Sequence, residues 1–110
     1  MFKQSENHLS KRHQITAVIY DRKNRVLSIG HNSYVKTHPL QAQYAEAVGE
    51  GYKVFLHAEI HAITRLKKPH KAHRIAIFRY NESGKPVSAK PCTICAHALT
   101  QTNIKIIEHT

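Results

Sequence analysis

Two short stretches constrain this chain more than anything else in it: His57-Ala58-Glu59 and Pro91-Cys92-Thr93-Ile94-Cys95. Together they supply one imidazole, one carboxylate and two thiols, and both cysteines of the chain fall in the second stretch. His57, Cys92 and Cys95 are soft or borderline ligands, able to hold a tetrahedral Zn²⁺ with the fourth position open for water. Glu59 is then left over, and a carboxylate beside such a water is placed to shuttle protons. A fold for this chain has to carry these two distant segments to one point.

Local sequence supports that geometry. Pro91 suits the first turn of a helix, where its missing N–H costs nothing. Cys92 and Cys95 then stand at i and i+3 on one face. They sit at the positive end of the helix dipole, which favours thiolates. His57 precedes a second helical stretch, so two helix N-termini converge on one cation. Other readings of the same residues stand beside this one. Cys92-x-x-Cys95 alone is also a redox pair, but that leaves His57 and Glu59 without a role. It is also half of a structural zinc site, for which His61 or His97 would be the fourth ligand.

Length and composition set the bounds. A chain of 110 residues is one domain, 1–110, large enough for a single core without staples. Trp is absent and aromatic residues make up 7%, so the core falls to Ile, Val, Leu and Ala. Two cysteines inside one motif argue against a disulfide framework and for a reducing, cytoplasmic setting. The first residues hold no long apolar run, so no signal peptide is expected, and no window approaches a membrane span. The formal net charge of +10 favours a phosphate-bearing partner: a nucleotide, an RNA or a single-stranded DNA. The densest basic runs are Lys11-Arg12-His13, Arg22-Lys23-Asn24-Arg25 and residues 65–74. None is interleaved with aromatics as a base-stacking groove would be, so a merely solubilising charge is the competing reading.

Along the chain, residues 5–11 read as a turn or two of helix, and 14–21, β-branched and apolar, as a central strand. Asp21-Arg22-Lys23-Asn24 is a turn in which Asn24 tolerates a left-handed backbone. Residues 25–30 return as the second strand of a hairpin, and 30–39 form a loop where a ligand could approach. Residues 40–48 read as a helix, and 58–67 as the helix behind His57, stopped by Pro69. Its apolar residues occupy more than one stripe, so it is covered on both sides or lies flat on a sheet. Residues 74–80 form a third strand, 82–85 a turn, 91–101 the second ligand-bearing helix, and 104–108 a last strand. The order reduces to β-β-α-β-α-β. Its strand-helix-strand units imply parallel pairing with right-handed crossovers, and the hairpin supplies an antiparallel edge. In such a sheet a ligand site lies beyond the strand ends.

From about Lys11 onward the chain resembles the cytidine/deoxycytidylate deaminase superfamily. The resemblance rests on His57-Ala58-Glu59, on Ser88-Ala89-Lys90-Pro91-Cys92 with Cys95, and on the hairpin before them. The flanking Lys11-Arg12-His13, Ala17-Val18-Ile19, Gly30-His31-Asn32-Ser33-Tyr34 and Thr37-His38-Pro39 make it most similar to small deaminase-like proteins of phages and large DNA viruses. The resemblance implies an α/β fold, α-β-β-α-β-α-β, with a mixed sheet of about four strands and no fifth strand. It implies Zn²⁺ on His57, Cys92 and Cys95, and Glu59 as the catalytic proton shuttle. Asn32 would contact the sugar or base, with turn chemistry after Gly30 as its other role. Backbone N–H groups of Ala58 and Cys92 would hold the base carbonyl or the oxyanion, and His31, Tyr34 and His38 would shape the pocket. The implied activity is hydrolytic deamination of a cytosine-type base carried on a nucleoside, a nucleotide or a polynucleotide. The alternatives are adenine deamination in RNA or tRNA, and a zinc-stabilised nucleic-acid-binding protein without catalysis. A short sheet leaves an edge exposed, so a homo-oligomer is expected.

Overall fold

The computed structural model describes residues 14–110. The helical turn expected over 5–11 and the Lys11-Arg12-His13 run lie outside the described residues. The elements are β1 (Gln14–Tyr20), β2 (Val26–His31), α1 (Pro39–Ala47), α2 (Ala58–Thr64), a 3₁₀ turn (Pro69–Lys71), β3 (Arg74–Tyr80), α3 (Thr93–Thr100) and β4 (Ile106–His109). All four strands form one sheet in the order β2-β1-β3-β4. The layered α/β class with a mixed four-stranded sheet is therefore the observed one.

The pairing inside the sheet differs from the sequence expectation in one respect. β1 is antiparallel to β2 on one side and to β3 on the other. Only β3 and β4 are parallel neighbours. β2 and β3 do run the same way, as a crossover requires, but β1 lies between them. The hairpin occupies one edge of β1, and the crossover places β3 on the other.

Strand alternation decides where the core sits. Ala17 and Ile19 of β1 pair across to Ile77 and Ile75 of β3, and all four are buried. α2 settles on this face with Ala58 and Ala62, and Leu99 of α3 joins the same cluster. A second cluster forms farther from the sheet, where Ala45 of α1 meets Ile60 of α2 and Ile94, Cys95 and Ala98 of α3. Ile63 touches both clusters. Thus α2 lies between the sheet and another helix, which is why its apolar residues fill more than one stripe. Each fully buried isoleucine contributes about 1.5–3 kcal/mol of transfer free energy.

Packing of sheet on helix is close at Gly30. A Cβ there would strike the backbone of Ala62 and the carbonyl of Ala58. Ser28, two residues earlier on the same face, donates its hydroxyl to Ala62 O at 2.8 Å. The sheet thereby holds α2 through a hydrogen bond and a missing side chain.

The β1–β2 turn is organised by Asp21. Its Oδ1 accepts from the backbone N–H of Lys23 at 2.8 Å and Arg25 at 2.9 Å, and its Oδ2 from Arg25 Nε at 2.8 Å. Asn24 takes a positive φ of 63°, as a short polar residue can. Chiefly through the Arg25 backbone N–H, the Asp21 carboxyl is held below the usual carboxylate range. A depressed carboxyl contributes stability above its unfolded pKa of about 3.9, and loses it as pH falls through the lower folded value. Asp21→Ala is accordingly expected to lower the melting temperature at pH 6 to 7. Melting curves taken down to pH 3 and below should show the gap to the parent closing.

Candidate metal centre and its cavity

His57 is the N-cap of α2 and Cys92 the N-cap of α3. The second ligand-bearing helix therefore begins at Thr93, two residues later than the sequence suggests, and Pro91 precedes the cap. The consequence for the thiols is small: Cys92 and Cys95 occupy the cap and the third helical position, still at i and i+3. Both stand where first-turn N–H groups are unpaired within the helix.

His57 Nδ1 lies 3.4 Å from Cys92 Sγ and 3.4 Å from Cys95 Sγ. The three donor atoms all fall within 4.8 Å of one another. Two equal contacts at one imidazole nitrogen place both sulfurs around a common point next to it. Zinc bonds of about 2.0–2.1 Å to nitrogen and about 2.3 Å to sulfur give tetrahedral N···S edges of about 3.5 Å. The donor set and its spacing fit a zinc-type ion. Among the described residues no fourth His, Cys, Asp or Glu joins this group. The two histidines considered for that place are occupied elsewhere. His61 Nδ1 accepts the backbone N–H of His31 at 3.0 Å, and His97 packs edge-on against Tyr44.

Hydrogen bonding from the Cys95 thiol, with help from His57, draws the Cys92 thiol down to about 3. The bond to Cys92, together with burial, pushes the Cys95 thiol up. The His57 imidazole is raised, first by its hydrogen bond to Cys92. Glu59 is buried, and that burial holds its carboxyl above the usual carboxylate range. A carboxyl moved in that direction exchanges protons nearer neutrality, as a general acid–base requires.

These residues open onto a cavity of about 530 Å³, within the range of small-molecule sites. Of the residues marked in the sequence, His57, Ala58, Glu59, Cys92, Asn32 and Tyr34 line it. Cys95 lies buried behind Cys92. Asn32 does two things: its side chain reaches the cavity wall, and its Oδ1 accepts the Ile15 N–H at 2.9 Å. The bond to Ile15 ties the loop after β2 to the start of β1, and is not a local turn contact. His31 is not part of the wall. Its position on β2 sends its ring to the other face of the sheet, 3.1 Å from Thr16 Oγ1. His38 is likewise diverted, because its Nδ1 caps α1 by accepting from Leu40 N at 3.0 Å.

Two contributions were not visible in the sequence. Gln41, fully buried on α1, accepts the His57 backbone N–H on Oε1 at 3.1 Å and donates Nε2 to Lys53 O at 3.4 Å. It fixes the segment that carries the histidine. Polar residues in a helix are ordinarily read as solvent-facing, so no pattern marks it. The second is a set of cations on the cavity wall, Lys53, Arg79 and Lys90. Arg79 donates Nη1 to Ser88 O, while its Nε is buried with no hydrogen-bond partner among the described residues.

A helix-capped His/Cys/Cys cluster with a buried glutamate beside it, on a mixed sheet, defines a zinc-binding deaminase-type domain. A sequence profile of the cytidine and deoxycytidylate deaminase zinc-binding region matches residues 2–108, and the chain belongs to that family. No curated protein sequence matches it closely enough to add a relative. Among the described residues no helix is long and apolar enough to cross a membrane.

Proposed function

We propose that this protein is a zinc-dependent hydrolase that converts the 4-amino group of a cytosine-type base to a carbonyl, consuming water and releasing ammonia. One observation carries the reading: His57 Nδ1 lies at 3.4 Å from each of two sulfurs, while buried Glu59 lines the same cavity. A zinc ion held by His57, Cys92 and Cys95 would supply Lewis acidity and a water of lowered pKa. Glu59 accepts a proton from the attacking water and delivers one to the ring nitrogen next to C4. It then takes the remaining proton of the new hydroxyl and passes it to the departing amine, which leaves as ammonia. Ala58, first residue of α2, has an N–H without an intrahelical partner, and it and the Cys92 N–H hold the base carbonyl or the developing charge. Asn32 and Tyr34 line the same cavity.

Lys53, Arg79 and Lys90 around the opening favour a substrate bearing phosphate, a nucleotide over a free nucleoside. The flanking motifs favour a place among the small phage and large-DNA-virus members, and the two free thiols a reducing, cytoplasmic compartment. Self-association belongs to the same reading, since Ile106 and Ile107 on the β4 edge are exposed; light scattering that finds only monomer at working concentration would remove it.

Incubation of zinc-loaded protein with cytidine, deoxycytidine, their monophosphates and short cytosine-containing strands should release ammonia, with monophosphates favoured over nucleosides. Release from none of them by fully zinc-loaded protein would overturn the assignment. Elemental analysis should find close to one zinc per chain. Cys92→Ala and Cys95→Ala should each lose it and melt earlier, because metal binding and folding are coupled.

A further inference from the structure

Two basic runs of the sequence take no part in the deaminase cavity. One is the β1–β2 turn, Arg22 to Arg25; the other leads from α2 into β3. The fold brings them together with the α3–β4 loop around a cleft of about 370 Å³. The cleft and the cavity lie at opposite ends of the sheet. Ile15 at the start of β1 and Arg79 near the end of β3 line the cavity. Asp21 just after β1, His73 just before β3 and Lys105 just before β4 line the cleft.

Five cations face this cleft, Arg22, Lys23, Arg25, Lys71 and Lys105, with the imidazoles of His70 and His73 among them. The one carboxylate in its wall among the described residues, Asp21, is buried and already engaged by Arg25 and the turn. Asp21 can neutralise only one of the five. The three loops are nevertheless tied together: His73 N–H donates to Tyr20 O at 2.9 Å, and Lys105 N–H to His73 O at 2.8 Å. Like charges held together by backbone hydrogen bonds repel one another, and a polyvalent anion relieves that repulsion. Among the described residues no Phe, Tyr or Trp lines the cleft, so it offers phosphate contacts and no stacking platform. Cations from three separate loops exceed what one phosphate can pair with.

We propose that this cleft binds an oligophosphate, a run of consecutive phosphates such as a nucleic-acid backbone or a free polyphosphate chain carries, separately from the deaminase cavity. The ligand is read by charge, without base preference.

The test uses a fluorescently labelled abasic single strand, which has phosphates but no base to enter the cavity. Its binding to zinc-loaded protein is followed by anisotropy across a salt series, with linear tripolyphosphate as competitor. The parent should bind, and binding should weaken with salt. Combined Arg22→Glu, Lys71→Glu and Lys105→Glu should cost at least about tenfold in affinity at low salt, and flatten the log–log salt slope by about 0.7 for each phosphate left unpaired. Zinc content and deamination of free cytidine should be unchanged in the same variant, so failure of the deaminase reading and failure of this one are separable. The matching alanine variant should shift in the same direction by less, and it decides the matter should the charge reversal not fold. Tripolyphosphate that displaces the strand at similar phosphate concentration identifies a free polyphosphate as the occupant; a strand bound far more tightly identifies the polymer. Variants that bind as the parent does, with the same slope, would overturn the proposal.

Discussion

Glu59→Gln is expected to leave a folded, zinc-loaded protein that turns over its substrate at least about 10²–10⁴-fold more slowly. His57, Cys92 and Cys95 would hold the metal without the carboxylate, as three protein ligands suffice in catalytic zinc sites. Its position suits it to proton transfer instead, because it is buried at the second residue of α2 and faces the cavity beside His57. Glutamine keeps the shape and a carbonyl oxygen, but it cannot take a proton and give it back. A single carboxylate serving successive transfers makes the loss larger than one acid–base step alone. Ammonia release, zinc content and substrate affinity measured on the same preparation check this. Near-parental turnover would refute the shuttle, and loss of zinc would make Glu59 a ligand.

Gly30→Ala should be damaging by a different route. The added methyl would meet backbone of α2 at Ala62 and Ala58, and backbone within a helix has no rotamer by which to yield. Overpacking of cores typically costs about 1–3 kcal/mol and occasionally more; a clash with helix backbone belongs at or beyond the upper end. Because α2 is capped by His57 and carries Glu59, lifting it off the sheet should also spoil metal retention. Gly51→Ala is the contrast. A Cβ at Gly51 would meet only the end of the Glu46 side chain, which can swing aside. Thermal melts and zinc analysis of both variants should show a large effect at Gly30 and little at Gly51. Equal, mild effects would mean that α2 has room to move.

The His/Cys/Cys cluster was legible in the sequence because ligand chemistry restricts which residues can serve and at what spacing. The strands were legible almost to the residue where β-branched runs were bounded by polar turns, as at Ile15 to Tyr20 and Arg74 to Tyr80. Pairing was less so. That β1 takes β3 as a second antiparallel partner depends on which edge the crossover finds free, and no local pattern records it. Gln41 escaped notice because the value of a buried carboxamide lies in two backbone partners from another segment. Gly30 escaped because a missing side chain is informative only once something is seen lying against it. His31 and His38 were placed near the pocket by their loop. Strand alternation sent one to the far face of the sheet, and an unpaired helix N–H drew the other into a cap.

The ligands themselves have a further consequence. His57 and Cys92 are separated by 35 positions, one capping the helix that lies on β1 and β2, the other leading into the helix that packs against α1 and α2. A metal ion between them is a detachable cross-link, closing a long loop whose freedom would otherwise favour the unfolded chain. Chains that have not acquired metal should open more often and be cut first by proteases. The population surviving in a cell would then be enriched in copies able to work, so that degradation itself removes the inactive fraction.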